Sequence, residues 1–182
     1  MKIALTHEKL LKERGTSMLW ISHRGNLDGP NPLQENQPDY INTALTKGFD
    51  VEIDVWFKNG QLYLGHDEEA VVPLPNFLSS SNYIWFHCKN VEALLFMRKQ
   101  GNLPWKNKYF WHQTDDYAIT SNGHIWTYPG ARLVPGAIAV LPEEAFDGEL
   151  RECSAICTDY IHYFKEAYDK GSNINQRPAP KL

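Results

Sequence analysis

The sequence lacks most of what would staple a chain, carry it across a membrane or bind it to nucleic acid. Its three cysteines, Cys88, Cys153 and Cys157, are odd in number and lie in apolar segments. That pattern excludes a disulfide framework and fits reduced, buried thiols, with metal ligation by Cys153 and Cys157 the weaker reading. No stretch approaches the ~20 apolar residues of a membrane span. The opening MKIALTHEKLLKERG breaks its apolar run at His7 and Glu8 and shows no small-residue cleavage site, so a cytoplasmic protein is expected. Basic excess is absent too: the net charge is −4, without the Lys/Arg clusters on which phosphate-backbone affinity depends, which argues against a nucleic-acid partner. There is no repeat, low-complexity tract or long charge run. A Gly-rich strand-to-helix turn is also missing, since Gly25 stands alone before a Pro-rich loop, and this disfavours a doubly wound nucleotide-binding sheet.

What the chain does have is enough apolar material for one core. Its 182 residues are 42% hydrophobic, which suits one domain better than two. Short aromatic-rich runs (MLWIS, YIWFH, YFWH, HIWTY) read as strands lining a core and a pocket. Residues 4–14 carry Leu5, Leu10 and Leu11 among charges and predict an amphipathic helix. MLWIS predicts a strand that ends at His23-Arg24-Gly25. A helix is expected from about Asn36 to Lys47, with Pro38 in its first turn and Gly48 beyond its end. YIWFHCK is a further strand, and Asn90 caps a helix running to Gln100. Beyond residue 104, strand-like KYFWHQ, HIWTY, AIAVL and SAICT are joined by connections too short or too rich in Gly and Pro for full helices. A last helix spans about Tyr160 to Asp169. The expectation is an α/β fold: a compact, shortened TIM-type (β/α) barrel occupying residues 1–172, with seven or eight strands and some outer helices replaced by loops, then a polar tail at 173–182.

The candidate chemistry lies just after strand ends. In DVEIDVW the two-residue period puts Asp50, Glu52 and Asp54 on one face and Val51, Ile53 and Val55 on the other. Adjacent carboxylates at Glu52 and Asp54 suit a hard divalent cation; the bland alternative is a solvated strand face. Asn59-Gly60 marks a hairpin whose returning strand ends at His66-Asp67 and carries His66 back toward the acidic face. His23 and His66 titrate near neutrality, so one can accept a proton while the other donates one, although either alone is commonly a surface histidine. Arg24 offers a planar fork and Lys89 a point charge for phosphate oxygens. His87 and Lys89 share a strand face. His112 to Asp116, with Trp126 and Tyr128, are able to line the opposite wall, or simply to pack there.

Taken together, His23-Arg24-Gly25, Glu35-Asn36, Glu52-x-Asp54 and His66-Asp67 resemble the signature of the glycerophosphodiester phosphodiesterase family, within the superfamily of phosphodiesterases resembling phosphatidylinositol-specific phospholipase C. The resemblance covers residues 20–67 and continues more loosely through Lys89 to Thr158-Asp159. It implies a barrel hydrolase with His23 and His66 as the acid–base pair, a divalent metal (Mg, Ca or Mn) on Glu52 and Asp54, and Arg24 and Lys89 on phosphate oxygens of a small phosphodiester cleaved via a cyclic phosphate. Where the family places a third acidic ligand two residues before the lysine, this chain has His87. As a ligand His87 favours Mn²⁺ over Ca²⁺; otherwise it binds substrate. The other readings are a non-catalytic phospho-ligand-binding barrel with a degenerate metal site and, more remotely, a sugar-phosphate isomerase or aldolase. The thin outer layer leaves room for a homodimer.

Overall fold

Strand β1 (Leu19–His23) alternates its side chains between two apolar environments, because both faces of the sheet it joins are covered. It lies between β2 (Asp50–Lys58) and β10 (Ala155–Thr158), parallel to both. A computed structural model describes residues 18–68, 71–79, 81–99 and 108–178. In chain order the remaining elements are α1 (Pro38–Thr46), β3 (Gln61–Leu64), β4 (Val72–Pro73), a short α2 (Asn76–Ser79), β5 (Ile84–Cys88), α3 (Val91–Lys99), β6 (Lys108–Trp111), β7 (Tyr117–Ile119), β8 (Ile125–Thr127), β9 (Ile138–Val140) and α4 (Ile161–Asp169), which follows β10. The helix expected over residues 4–14 lies outside the described residues.

The strands form one mixed sheet. A parallel run β6-β5-β2-β1-β10-β9-β8 is its body; β3 joins β2 and β7 joins β8 antiparallel, and β4 pairs antiparallel with β3. The sheet curls, and the loop after β7 reaches β6: Ser121 N–H donates to Tyr109 O at 2.8 Å, and Tyr109 N–H donates to Ser121 Oγ at 3.0 Å. The fold is thus a mixed α/β structure with a curled sheet and few helices. The described residues alone form ten strands, more than the seven or eight expected. Two of the extra pieces, β4 and β7, have two and three residues, too few for a two-residue period to show.

Apolar side chains sort by parity. Val51, Ile53 and Val55 of β2 face outward into a core shared with Ile41 and Ala44 of α1, Ala93 and Met97 of α3, and Ile161 and Phe164 of α4. The inward face collects Ile21, Trp85, Phe110, Trp126, Ile138 and Cys157. Phe110 and Trp126 have ring centroids 4.4 Å apart, a pairing worth about 1 kcal/mol beyond area burial. Among the described residues, Ile119 of the β7–β8 hairpin is 75% exposed. The three cysteines are buried and unbridged. Among the described residues, no helix is long and apolar enough to cross a membrane. Past residue 172, Ile174 is buried and Asn175 Oδ1 accepts the Leu150 N–H at 3.2 Å.

Backbone punctuation follows the sequence. Asn59 and Gly60 take φ of 49° and 86°, the pair of left-handed residues that a two-residue hairpin demands. Gly25, at φ 97°, is required twice over, since a Cβ there would stand 2.7 Å from Tyr40 Cδ1. The Asn90 side chain caps α3 by accepting the Ala93 N–H, and also pairs with both backbone groups of Phe57.

Candidate functional site

Register sets the site. His23 lies opposite Glu52, and Asp54 lies opposite His87, so neighbouring strands present these four side chains inward at the C-terminal end of the parallel run. Lys89 follows one strand residue later, its backbone N–H bonded to Val55 O. One ligand atom from each of Glu52, Asp54 and His87 falls within 4.8 Å of the others, and no other such trio occurs among the described residues. His87 Nδ1 stands 3.0 Å from Asp54 Oδ1 and 3.6 Å from Glu52 Oε1. Arg24 Nε lies 2.8 Å from Asp54 Oδ2, and Lys89 Nζ 3.5 Å from Asp54 Oδ1.

These groups set one another's charge. Burial opposes a charged His87, but contact with Asp54 and Glu52 outweighs it and lifts its pKa to about 9. Burial would raise Asp54, yet His87, Arg24 and Lys89 hold its carboxyl well below the usual range. For His23, burial again opposes the charge and is overcome by the hydrogen bond to Asp159 and the charge on Glu52, so its pKa rises.

Support comes from the loops. His23 Nδ1 meets Asp159 Oδ1 at 2.8 Å, which directs Nε2 toward Glu52 Oε2, 3.9 Å away. Asp159 also accepts from Asn26 Nδ2 at 2.8 Å, and its own N–H donates to Glu143 Oε1 at 2.7 Å. Glu143 accepts the Thr158 hydroxyl as well, and burial carries its pKa to about 7 despite these bonds. Glu35 ties Arg24 Nη1 (3.1 Å) to Asn26 Nδ2 (2.9 Å). Asn36 clamps Asp54 twice, at the backbone N–H and at Oδ2, each at 3.0 Å. Arg24 and Asn36 both hold left-handed backbones, with φ of 53° and 60°, and such strain in non-glycine residues persists where surrounding contacts enforce it.

Six of the seven candidates, His23, Arg24, Glu52, Asp54, His87 and Lys89, therefore meet in one cluster. His66 does not join its contacts. It is half exposed and pairs with Asp67 Oδ1 at 2.8 Å, although the preceding Gly65 N–H donates to Asp54 O at 3.2 Å, so its loop borders the cluster. Sequence reasoning missed Glu143 and the supporting role of Asn26. A carboxylate in a Pro-containing loop and an asparagine after a glycine carry no spacing signal that marks them.

The trio's chemistry fits a divalent ion. Glu52 Oε2 and His87 Nε2 are buried without a hydrogen-bond partner among the described residues, a costly arrangement for polar atoms that nothing coordinates. Two carboxylates and an imidazole are a donor set for Mn²⁺ or Mg²⁺. No protein-family model, curated protein or solved structure matches the chain.

Proposed function

We propose that the chain is a metal-dependent phosphodiesterase on a shortened TIM-type (β/α) barrel, acting on a small glycerol- or sugar-bearing phosphodiester. The observation behind this reading is the convergence of the Glu52–Asp54–His87 trio, two permanent cations and an Asp-held histidine at the C-terminal end of the parallel strands. Glu52, Asp54 and His87 would hold the metal. When bound, the ion supplies Lewis-acid stabilisation of the charge that gathers on phosphoryl oxygens.

The protein's own groups supply the rest. Arg24, fixed at Nε by Asp54 and at Nη1 by Glu35, turns its remaining N–H donors to the phosphate, and Lys89 adds a point charge. His23, hydrogen-bonded at Nδ1 to Asp159, donates from Nε2 to the departing oxygen. His66 gives its Nδ1 proton to Asp67 in a hydrogen bond, which leaves Nε2 able to take the proton of the attacking hydroxyl. Water or a hydroxyl of the substrate is the nucleophile: its oxygen bonds to phosphorus, the P–O bond to the leaving alcohol breaks, and one proton enters through His66 while one leaves through His23.

Hydrolysis of glycerophosphodiesters and an aryl phosphodiester with Mn²⁺, Mg²⁺ or Ca²⁺ tests this. Turnover is expected to vanish on chelation and in His23→Ala and Glu52→Gln; turnover that persists in any of these excludes the mechanism. The half-exposed His66, paired with Asp67 outside the cluster, favours a second reading in which the site binds a phospho-ligand without cleaving it. Tight binding with no product in the same panel would select that reading.

A further inference from the structure

Tyr128, on the far wall of the site, is not used in the mechanism above. It follows β8, which is four strands from β2 along the ladder β2-β1-β10-β9-β8. Its ring nevertheless packs on His112, whose own ring centroid lies 6.4 Å from that of His87, so the tyrosine borders the trio. That hydroxyl is buried and has no hydrogen-bond partner, although a buried phenol normally finds one. Glu52 Oε2 also lacks a hydrogen bond among the described residues, and Asp54 Oδ1 is met only by its ion pairs with His87 and Lys89, so neither the phenol nor Glu52 Oε2 is satisfied among those residues.

The ring has little freedom to seek a partner elsewhere. It stacks on His112 with centroids 3.2 Å apart and 15° between planes. Its backbone is pinned by Tyr128 N–H to Asp116 O at 3.0 Å and Ala131 N–H to Tyr128 O at 3.2 Å. We infer that Tyr128 is a ligand-binding residue whose hydroxyl donates to an oxygen of the anion held over the Glu52–Asp54–His87 trio, from the wall opposite Arg24 and Lys89. Burial, together with the charges of Glu52 and Asp54, keeps the phenol protonated, so it acts only as a donor or neutral acceptor across the working pH range. His112, beside it, is held neutral by burial and by His87 and Lys89. This wall therefore contributes direction, not charge. The inference rests on the anion-binding part of the proposed function but requires no turnover.

Inorganic phosphate is the probe, titrated calorimetrically into Mn²⁺-loaded wild-type protein and Tyr128→Phe. A hydrogen bond to a charged acceptor predicts at least tenfold weaker phosphate binding in the variant. Because the hydroxyl has no partner among the described residues, the melting temperature of the metal-free variant should equal or exceed that of wild type. Equal phosphate affinity in the two proteins, no phosphate binding by wild type, or a clear fall in the variant's melting temperature would each overturn the inference. Phosphate binding that depends on Tyr128 in a protein that turns over no diester would retain it and remove the phosphodiesterase reading alone.

Discussion

A metal ion entering the trio has to compete with a proton. In the metal-free protein His87 is an imidazolium with a pKa of about 9, held by Asp54 and Glu52, whereas a ligating imidazole is neutral. At pH 7 about one molecule in a hundred has the neutral form, which lowers apparent metal affinity roughly a hundredfold, or about 2.7 kcal/mol. Affinity for Mn²⁺ is therefore expected to rise about tenfold per pH unit between pH 6 and 8, with close to one proton released per ion. Titration calorimetry in two buffers of different ionisation enthalpy measures both quantities. His87→Asn, which cannot hold the proton, should abolish the slope. The same linkage has a sign in the chelated protein. The folded pKa is raised above the unfolded 6.5, so the stabilisation is complete below about pH 6.5 and fades as pH climbs toward 9. Metal affinity that is flat with pH, or binding without proton release, would refute the assignment of His87 as both imidazolium and ligand.

Asp159→Asn should cut kcat about a hundredfold and move the pH profile's histidine limb toward lower pH, since the Asp159 contact that raises His23 is weakened; steady-state rates over pH 5–9 check it. Glu143→Gln should melt above wild type at pH 8, by up to about 3 kcal/mol, and match it near pH 5. The raised pKa of about 7 means that folding favours the neutral carboxyl, an advantage lost as pH rises from 4.5 through 7; thermal melts at the two pH values decide. Gly25→Ala meets Tyr40 at 2.7 Å with φ at 97°, and should cost about 1–3 kcal/mol in a denaturant titration.

The parts of this molecule legible in the sequence are those carried by periodicity and punctuation. Residues 50–55 of β2 alternate polar and apolar, so the shared face of Asp50, Glu52 and Asp54 is readable before any neighbour is known. The same parity put His87 and Lys89 on one face. The Asn59-Gly60 turn, the Asn90 cap and Gly48 after α1 were likewise local signals. Illegible were contacts between loops. Asp159 reaches His23 across 136 positions, and Glu143 holds Asp159 from another loop; neither spacing has a period. His66 is a different case: the hairpin brings the Gly65 N–H, not the imidazole, to Asp54, and the side chain pairs with Asp67.

One strand shows why identical chemistry serves different ends. Asp50, deepest on the β2 face, is satisfied within the protein by Lys108 Nζ at 2.6 Å and Trp85 Nε1 at 2.9 Å. Toward the open end the balance is different. Four carboxylates, Glu35, Glu52, Asp54 and Asp159, meet two permanent cations, Arg24 and Lys89. Neutrality in the empty cluster needs both His23 and His87 to be protonated, and both pKa values are indeed raised. A dication that displaces one of those protons leaves the cluster one positive charge in excess. A phosphodiester carries a single negative charge, so the pair of ligands restores the balance that neither achieves alone, and a buried site of low dielectric enforces that pairing more strictly than an exposed one.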